Sequence, residues 1–138
     1  MKKMLFVCMV ALTTFGIADA QKILDKNKQV MGYITTEGVV LDKNNKTLGY
    51  FKDDGSIVNA EYSTVGYLKS DGSIQTVEHK LLGFLQSDGK VLNAKNDQIG
   101  SVDEKGVVYN AKGDTIAHLE NVDSDLGSIA LFFFFLKQ

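Results

Sequence analysis

The sequence predicts an all-β fold of 17-residue β-hairpin repeats closed around an axis, and three observations carry that reading. Glycines recur at Gly32, Gly49, Gly66, Gly83 and Gly100, and a second series at Gly38, Gly55, Gly72, Gly89 and Gly106 keeps the same 17-residue step. Between them lie short runs rich in β-branched and aromatic residues, bounded by turn residues. Both ends of the chain also stand in mid-repeat. ILDKNKQVMGY from Ile23 nearly repeats VLDKNNKTLGY from Val40, and a sixth copy at TIAHLEN has Ala117 in place of the glycine.

The first element in chain order reads as an export signal. Lys2 and Lys3 precede the apolar run Met4 to Ile17, and Ala18-Asp19-Ala20 supplies small residues at a cleavage position. The run is shorter than the roughly 20 residues a spanning helix needs. The sequence therefore divides into residues 1–20, a signal peptide, and residues 21–138, one repeat domain of an exported protein. The only cysteine, Cys8, falls in the signal, so no disulfide framework or zinc cluster is expected.

Each repeat then reads as strand, turn, return strand, turn. In Thr64-Val65-Gly66-Tyr67-Leu68, alternation puts Val65 and Tyr67 on one face and Gly66 and Leu68 on the other. Lys69-Ser70-Asp71-Gly72 is a hairpin turn, because glycine takes a positive φ without steric penalty. Ser73 to Thr76 returns, and a polar Asn- and Lys-rich turn leads on. Glycine in mid-strand weakens a sheet unless a close neighbour demands it. Its strict phase implies that every repeat approaches one shared feature on an axis. Single hairpins are marginal in water, and closure into a ring removes the exposed edges. The last element is apolar: Ile129 to Leu136 includes four consecutive phenylalanines, Phe132 to Phe135. It is expected to be a strand or plug buried on both faces; the other reading is a segment that binds a membrane or a partner.

The units TLGYFKDDGSIVN, TVGYLKSDGSIQT and LLGFLQSDGKVLN, together with the export signal and the Phe-rich end, resemble the bacterial five-fold β-flower proteins. The resemblance spans the whole of residues 21–138. It implies β-hairpins arranged around a pseudo-five-fold axis, matching the five complete units that start near Gly32, Gly49, Gly66, Gly83 and Gly100. The family brings no established biochemical activity. Two positions depart from its pattern, Ser101 where Tyr or Phe is expected and Lys105 where Asp is expected.

Composition narrows the function. With 15 Lys, no Arg and 17 acidic residues the net charge is −2, which disfavours nucleic-acid binding. No catalytic motif is present. His79 lies in an inter-repeat turn and His118 replaces the aromatic of the sixth copy. The acids Glu37, Asp54, Asp71 and Asp88 sit in the glycine turns, where Asp is favoured for its own local hydrogen bonds, and their spacing fits no calcium loop. No catalytic, metal or cofactor site is expected. The repeated aromatics Tyr33, Tyr50, Tyr67 and Phe84 are the candidate ligand-contact residues; packing between neighbouring repeats is the other use of such rings. The ten phased glycines are the structural residues. The sequence thus points to a non-enzymatic binding or scaffold module for a glycan or protein partner. A purely structural envelope or surface component, self-associating through the Phe-rich tail, is the alternative.

Overall fold

A computed structural model describes residues 21–136. The expected signal peptide, residues 1–20, and Lys137 and Gln138 lie outside the described residues. The strands are β1 (Lys22–Asp25), β2 (Val30–Ile34), β3 (Val39–Asp42), β4 (Thr47–Phe51), β5 (Ser56–Asn59), β6 (Thr64–Leu68), β7 (Ser73–Thr76), β8 (Leu81–Leu85), β9 (Lys90–Asn93), β10 (Gln98–Val102), β11 (Val107–Asn110) and β12 (Thr115–Glu120). One helix, α1 (Ser124–Phe132), follows. The strands form a single closed antiparallel barrel in which each pairs with its chain neighbours and β1 pairs with β12.

That last pairing builds a further petal from the two chain ends. In β12 and β1 the partners are Ala117 with Asp25, His118 with Leu24 and Leu119 with Ile23. The complete hairpin β2–β3 has the equivalent set, Gly32 with Asp42, Tyr33 with Leu41 and Ile34 with Val40. Five uninterrupted hairpins, each with a glycine turn, therefore share the ring with a sixth that has no turn and carries Ala117.

The side chains inside the barrel lie in layers. Ile23, Val40, Ile57, Ile74, Val91 and Val108, one per petal, are 0–1% exposed. Burying each such side chain contributes about 1.5–3 kcal/mol. Alternation fails at one place per petal. Gly66 pairs with Ile57, but the next pair is Thr64 with Val58, so Val65 is an extra, bulged residue. The bulge turns Val65 inward, where it packs against the core with Leu68 instead of sharing the outer face with Tyr67. Met31, Leu48 and Leu82, at the same phase, do likewise.

The two turn series share one backbone form. Gly72 N–H donates to the Lys69 carbonyl and Lys69 N–H to the Ser73 carbonyl; Asn45 N–H donates to the Asp42 carbonyl and Asp42 N–H to the Lys46 carbonyl. Each puts one residue at positive φ, Gly72 at 90° and Asn45 at 68°. Only the first series needs glycine. A Cβ on Gly72 would meet the Leu85 carbonyl of the next petal, whereas one on Gly113, in the second series, would meet nothing within 4 Å. Lys28, Asn45, Tyr62, His79 and Asn96 occupy that second position in the other petals. Gly113→Asn is therefore expected to change stability by no more than about 0.5 kcal/mol. Gly72→Asn should lose about 1–3 kcal/mol, which urea unfolding of the two variants will compare.

The apolar C-terminal segment is a plug, but its first part is a helix and not a strand. Asp123 caps α1, its carboxylate accepting from Asp125 N–H and Leu126 N–H. A closed barrel offers no free edge for another strand to pair with, so a segment inside it must satisfy its own backbone, which a helix does. Ile129, Ala130 and Leu131 are 0–1% exposed within the lumen. Beyond the helix, Phe133 and Phe134 N–H both donate to the Ile129 carbonyl and Leu136 N–H to the Ala130 carbonyl, so the tail coils back on itself.

The shared feature that the glycines approach is this tail. A Cβ on Gly66 would stand 2.7 Å from Cζ of Phe134, and one on Gly83 2.7 Å from Cζ of Phe133. Gly100 faces Phe132, Gly49 faces Phe135 and Gly32 faces Leu136. Five consecutive tail residues thus take five petals, one each, in reverse chain order.

Candidate functional site

With glycine turned to the plug, the residue after it must face outward. Tyr33, Tyr50, Tyr67 and Phe84 hold that position and are half-buried on the barrel exterior; Ser101 and His118 hold it in the remaining petals. The structure places two of these rings in stacks. Tyr50 stacks on Tyr62, centroids 5.2 Å apart and planes at 14°, and the Tyr50 hydroxyl donates to that of Tyr62 at 3.1 Å. Tyr67 stacks on His79 at 5.0 Å and 7°, with Lys69 Nζ 5.7 Å from the Tyr67 centroid and His79 Nδ1 3.4 Å from Gln75 Oε1. Tyr33 and Phe84 have Asn45 and Asn96 at the matching turn position and form no ring stack among the described residues.

Tyr62 is the functional candidate that the sequence reading left out. It is 75% exposed, and it holds φ of 69° in a position that favours Asn or Gly. His79 holds the same conformation, also at 69°. Such a backbone is unfavourable for a ring-bearing residue, and in both petals the ring lies on the aromatic twelve residues earlier. That offset, Tyr50 to Tyr62 and Tyr67 to His79, is the signal that was available in the sequence.

Beside the first stack is a groove of about 270 Å³ lined by Glu37, Tyr50, Lys52, Val58 and Tyr62 among others. A second, of about 590 Å³, is lined by Asp71, Phe84, Gln86, Leu92 and Asn96 among others. These five residues are the equivalents of the first five two repeats along the chain. Each groove joins a carboxylate from one petal's glycine turn to the outward aromatic of the next petal.

In the glycine turns Asp54, Asp71 and Asp88 do local work with one oxygen, Oδ1. Oδ1 of Asp54 accepts from Ser56 N–H, and Oδ1 of Asp88 from Lys90 N–H. Asp71 Oδ1 accepts from the Ser73 hydroxyl at 2.7 Å and from Ser73 N–H at 2.9 Å. Asp103 accepts from Val107 N–H, Lys105 N–H and the Tyr109 hydroxyl. These bonds favour the charged form. Asp71 is lowered below the ordinary carboxylate value of 3.8 chiefly by the Ser73 hydroxyl, Asp54 by Ser56 N–H and Asp103 by Val107 N–H. Stability tied to a lowered pKa is present above 3.8 and lost as pH falls through the folded value. Urea midpoints measured from pH 5 to pH 2 should therefore fall less in Asp71→Asn than in the parent protein. In the other direction, the hydrogen bond with Tyr62 raises the Tyr50 phenol above its usual value. Among the described residues no three His, Cys, Asp or Glu gather as a metal-ligating group. No described helix is long and apolar enough to cross a membrane.

Comparison with curated proteins and with solved structures yields no match. A family model described as "5-fold beta-flower protein" matches residues 20–137, nearly the whole chain. The phased glycines, the ring of hairpins and this match agree, and the chain belongs to the 5-fold beta-flower family.

Proposed function

We propose that the protein is an exported, non-enzymatic binding module that holds a glycan on its outer aromatic face. The observation that carries the reading is the pair of stacks Tyr50–Tyr62 and Tyr67–His79, set on neighbouring petals, the first of them lining a groove that also presents Glu37 and Asp53. Aromatic rings offer sugars a flat apolar face at low entropic cost, and carboxylates and hydroxyls accept or exchange hydrogen bonds with sugar hydroxyls. Exposure of Tyr62 in a strained turn conformation supports a use outside the core. Self-association through the Phe-rich tail is less favoured, because those rings are engaged with the glycines inside the barrel.

The test is a glycan array followed by titration of the bound sugars with Tyr62→Asn and His79→Asn. Asparagine already occupies this turn position at Asn45 and Asn96, so both variants should melt as the parent does. Each should bind about ten-fold more weakly, consistent with about 1.4 kcal/mol. Failure of every arrayed glycan to bind, or unchanged affinity in both variants, would refute the proposal.

A further inference from the structure

The outer face carries two equivalent grooves with a ring stack on the petal between them, and this succession bears on the size and charge of its ligand. Residues Glu37, Tyr50, Val58 and Tyr62 of the first groove become Asp71, Phe84, Leu92 and Asn96 of the second. The petal between them places Asp54, Tyr67, Gln75 and His79 at the same phase, with Tyr67 and His79 stacked. Three neighbouring petals thus repeat one arrangement: a carboxylate, an outward ring, and a turn residue beyond it.

We infer that the ligand is an extended, uncharged polysaccharide that crosses these three petals, from the groove at Tyr50 over the Tyr67–His79 stack to the groove at Phe84. The inference rests on the glycan-binding reading above and adds the ligand's length and charge. Length follows from the strand geometry. Equivalent points on neighbouring petals are two inter-strand spacings apart, about 10 Å, roughly the reach of two sugar rings in an extended chain. A polymer can therefore present every second ring to a petal, and linked contacts raise overall affinity steeply without any new kind of contact.

Charge follows from the groove residues. Glu37, Asp53 and Lys52 line the first groove and Asp71 and Asp88 the second, and Asp54 and Lys69 stand exposed in the glycine turns. Lys90 is already paired, 3.8 Å from Asp88. Since Asp54 and Asp71 each use Oδ1 in the turn, their Oδ2 atoms can accept sugar hydroxyls. A uronic or sulfated polymer would meet an excess of carboxylates over lysines in both grooves, two against one in the first and two against none in the second.

The test uses linear oligomers of glucose, xylose, mannose and N-acetylglucosamine at two, four and six units, with galacturonate oligomers of equal length as the acidic probes. In at least one neutral series, affinity should rise about ten-fold or more from two units to six, while the acidic series binds more weakly at every length. Tyr67→Ser, which takes the outward ring from the middle petal as Ser101 already does in its own, should bring the six-unit oligomer close to the affinity of the two-unit one, while the variant still melts cooperatively. Equal affinity at two and six units, or tighter binding of galacturonate, would overturn the inference and leave glycan binding standing. Absence of binding by every series, neutral and acidic, would remove the glycan-binding reading together with it.

Discussion

Gly66→Val is expected to abolish cooperative unfolding altogether, and Gly66→Ala to destabilise the protein by about 3 kcal/mol or more. Valine is an excellent strand residue by propensity, so a local view of β6 predicts the opposite sign. The reason for the loss is the far side of the position. An added Cβ meets Cζ of Phe134 at 2.7 Å and the Gln75 carbonyl of the paired strand at the same distance. The ring could turn; the carbonyl belongs to the sheet and cannot move without opening the pairing of β6 with β7. Circular dichroism melts of Gly66→Ala, Gly66→Val and the near-neutral Gly113→Asn would show whether the effect follows the plug-facing position or glycine content in general.

Removal of the plug should be as damaging. A chain ending at Asn121 lacks α1 and the tail, and the ring of Ile23, Val40, Ile57, Ile74, Val91 and Val108 would then line an empty or wetted lumen. A small domain has about 5–15 kcal/mol of stability in total, and single large-to-small changes in a core already remove about 2–5 kcal/mol. Loss of Ile129, Ala130, Leu131 and the facing phenylalanines exceeds that reserve. The truncated protein is expected to show no sigmoidal thermal transition and to bind a hydrophobic dye, whereas the single change Phe134→Ala should melt cooperatively at a lower temperature. A truncated chain with the parent's melting curve would show that the barrel closes without its plug.

Much of this architecture was legible in the residues because the period is strict and glycine has few uses. The 17-residue phase located both turns and both strands of each petal, and the partial repeats at the ends foretold the pairing of β1 with β12. The strand glycines pointed to a common neighbour near the axis, but their spacing contained nothing to say that the neighbour was the chain's own tail. The tail's conformation was not legible either. Four consecutive phenylalanines suit a buried strand as well as a helix by local preference, and the decision is made by the barrel, which has no edge left to offer. Val65 was placed on the wrong face because period-two alternation assumes an unbroken ladder, and a bulge breaks it once per petal. At the candidate site, Tyr50 and Tyr67 were found from their repetition. Tyr62 was missed because it stands in a turn, where composition varies from petal to petal and only the twelve-residue offset shared with Tyr67 and His79 marks it; its left-handed backbone and its ring stack single it out.

What joins the plug to the barrel is that five successive tail residues each occupy one petal's glycine, in reverse order around the ring. Nuclear Overhauser effects between glycine Hα protons and the tail side chains test it most directly. Cross-peaks are expected from Gly100 to Phe132, Gly83 to Phe133, Gly66 to Phe134, Gly49 to Phe135 and Gly32 to the Leu136 methyl groups. Cross-peaks in another order, or none from the glycines to the tail, would contradict it.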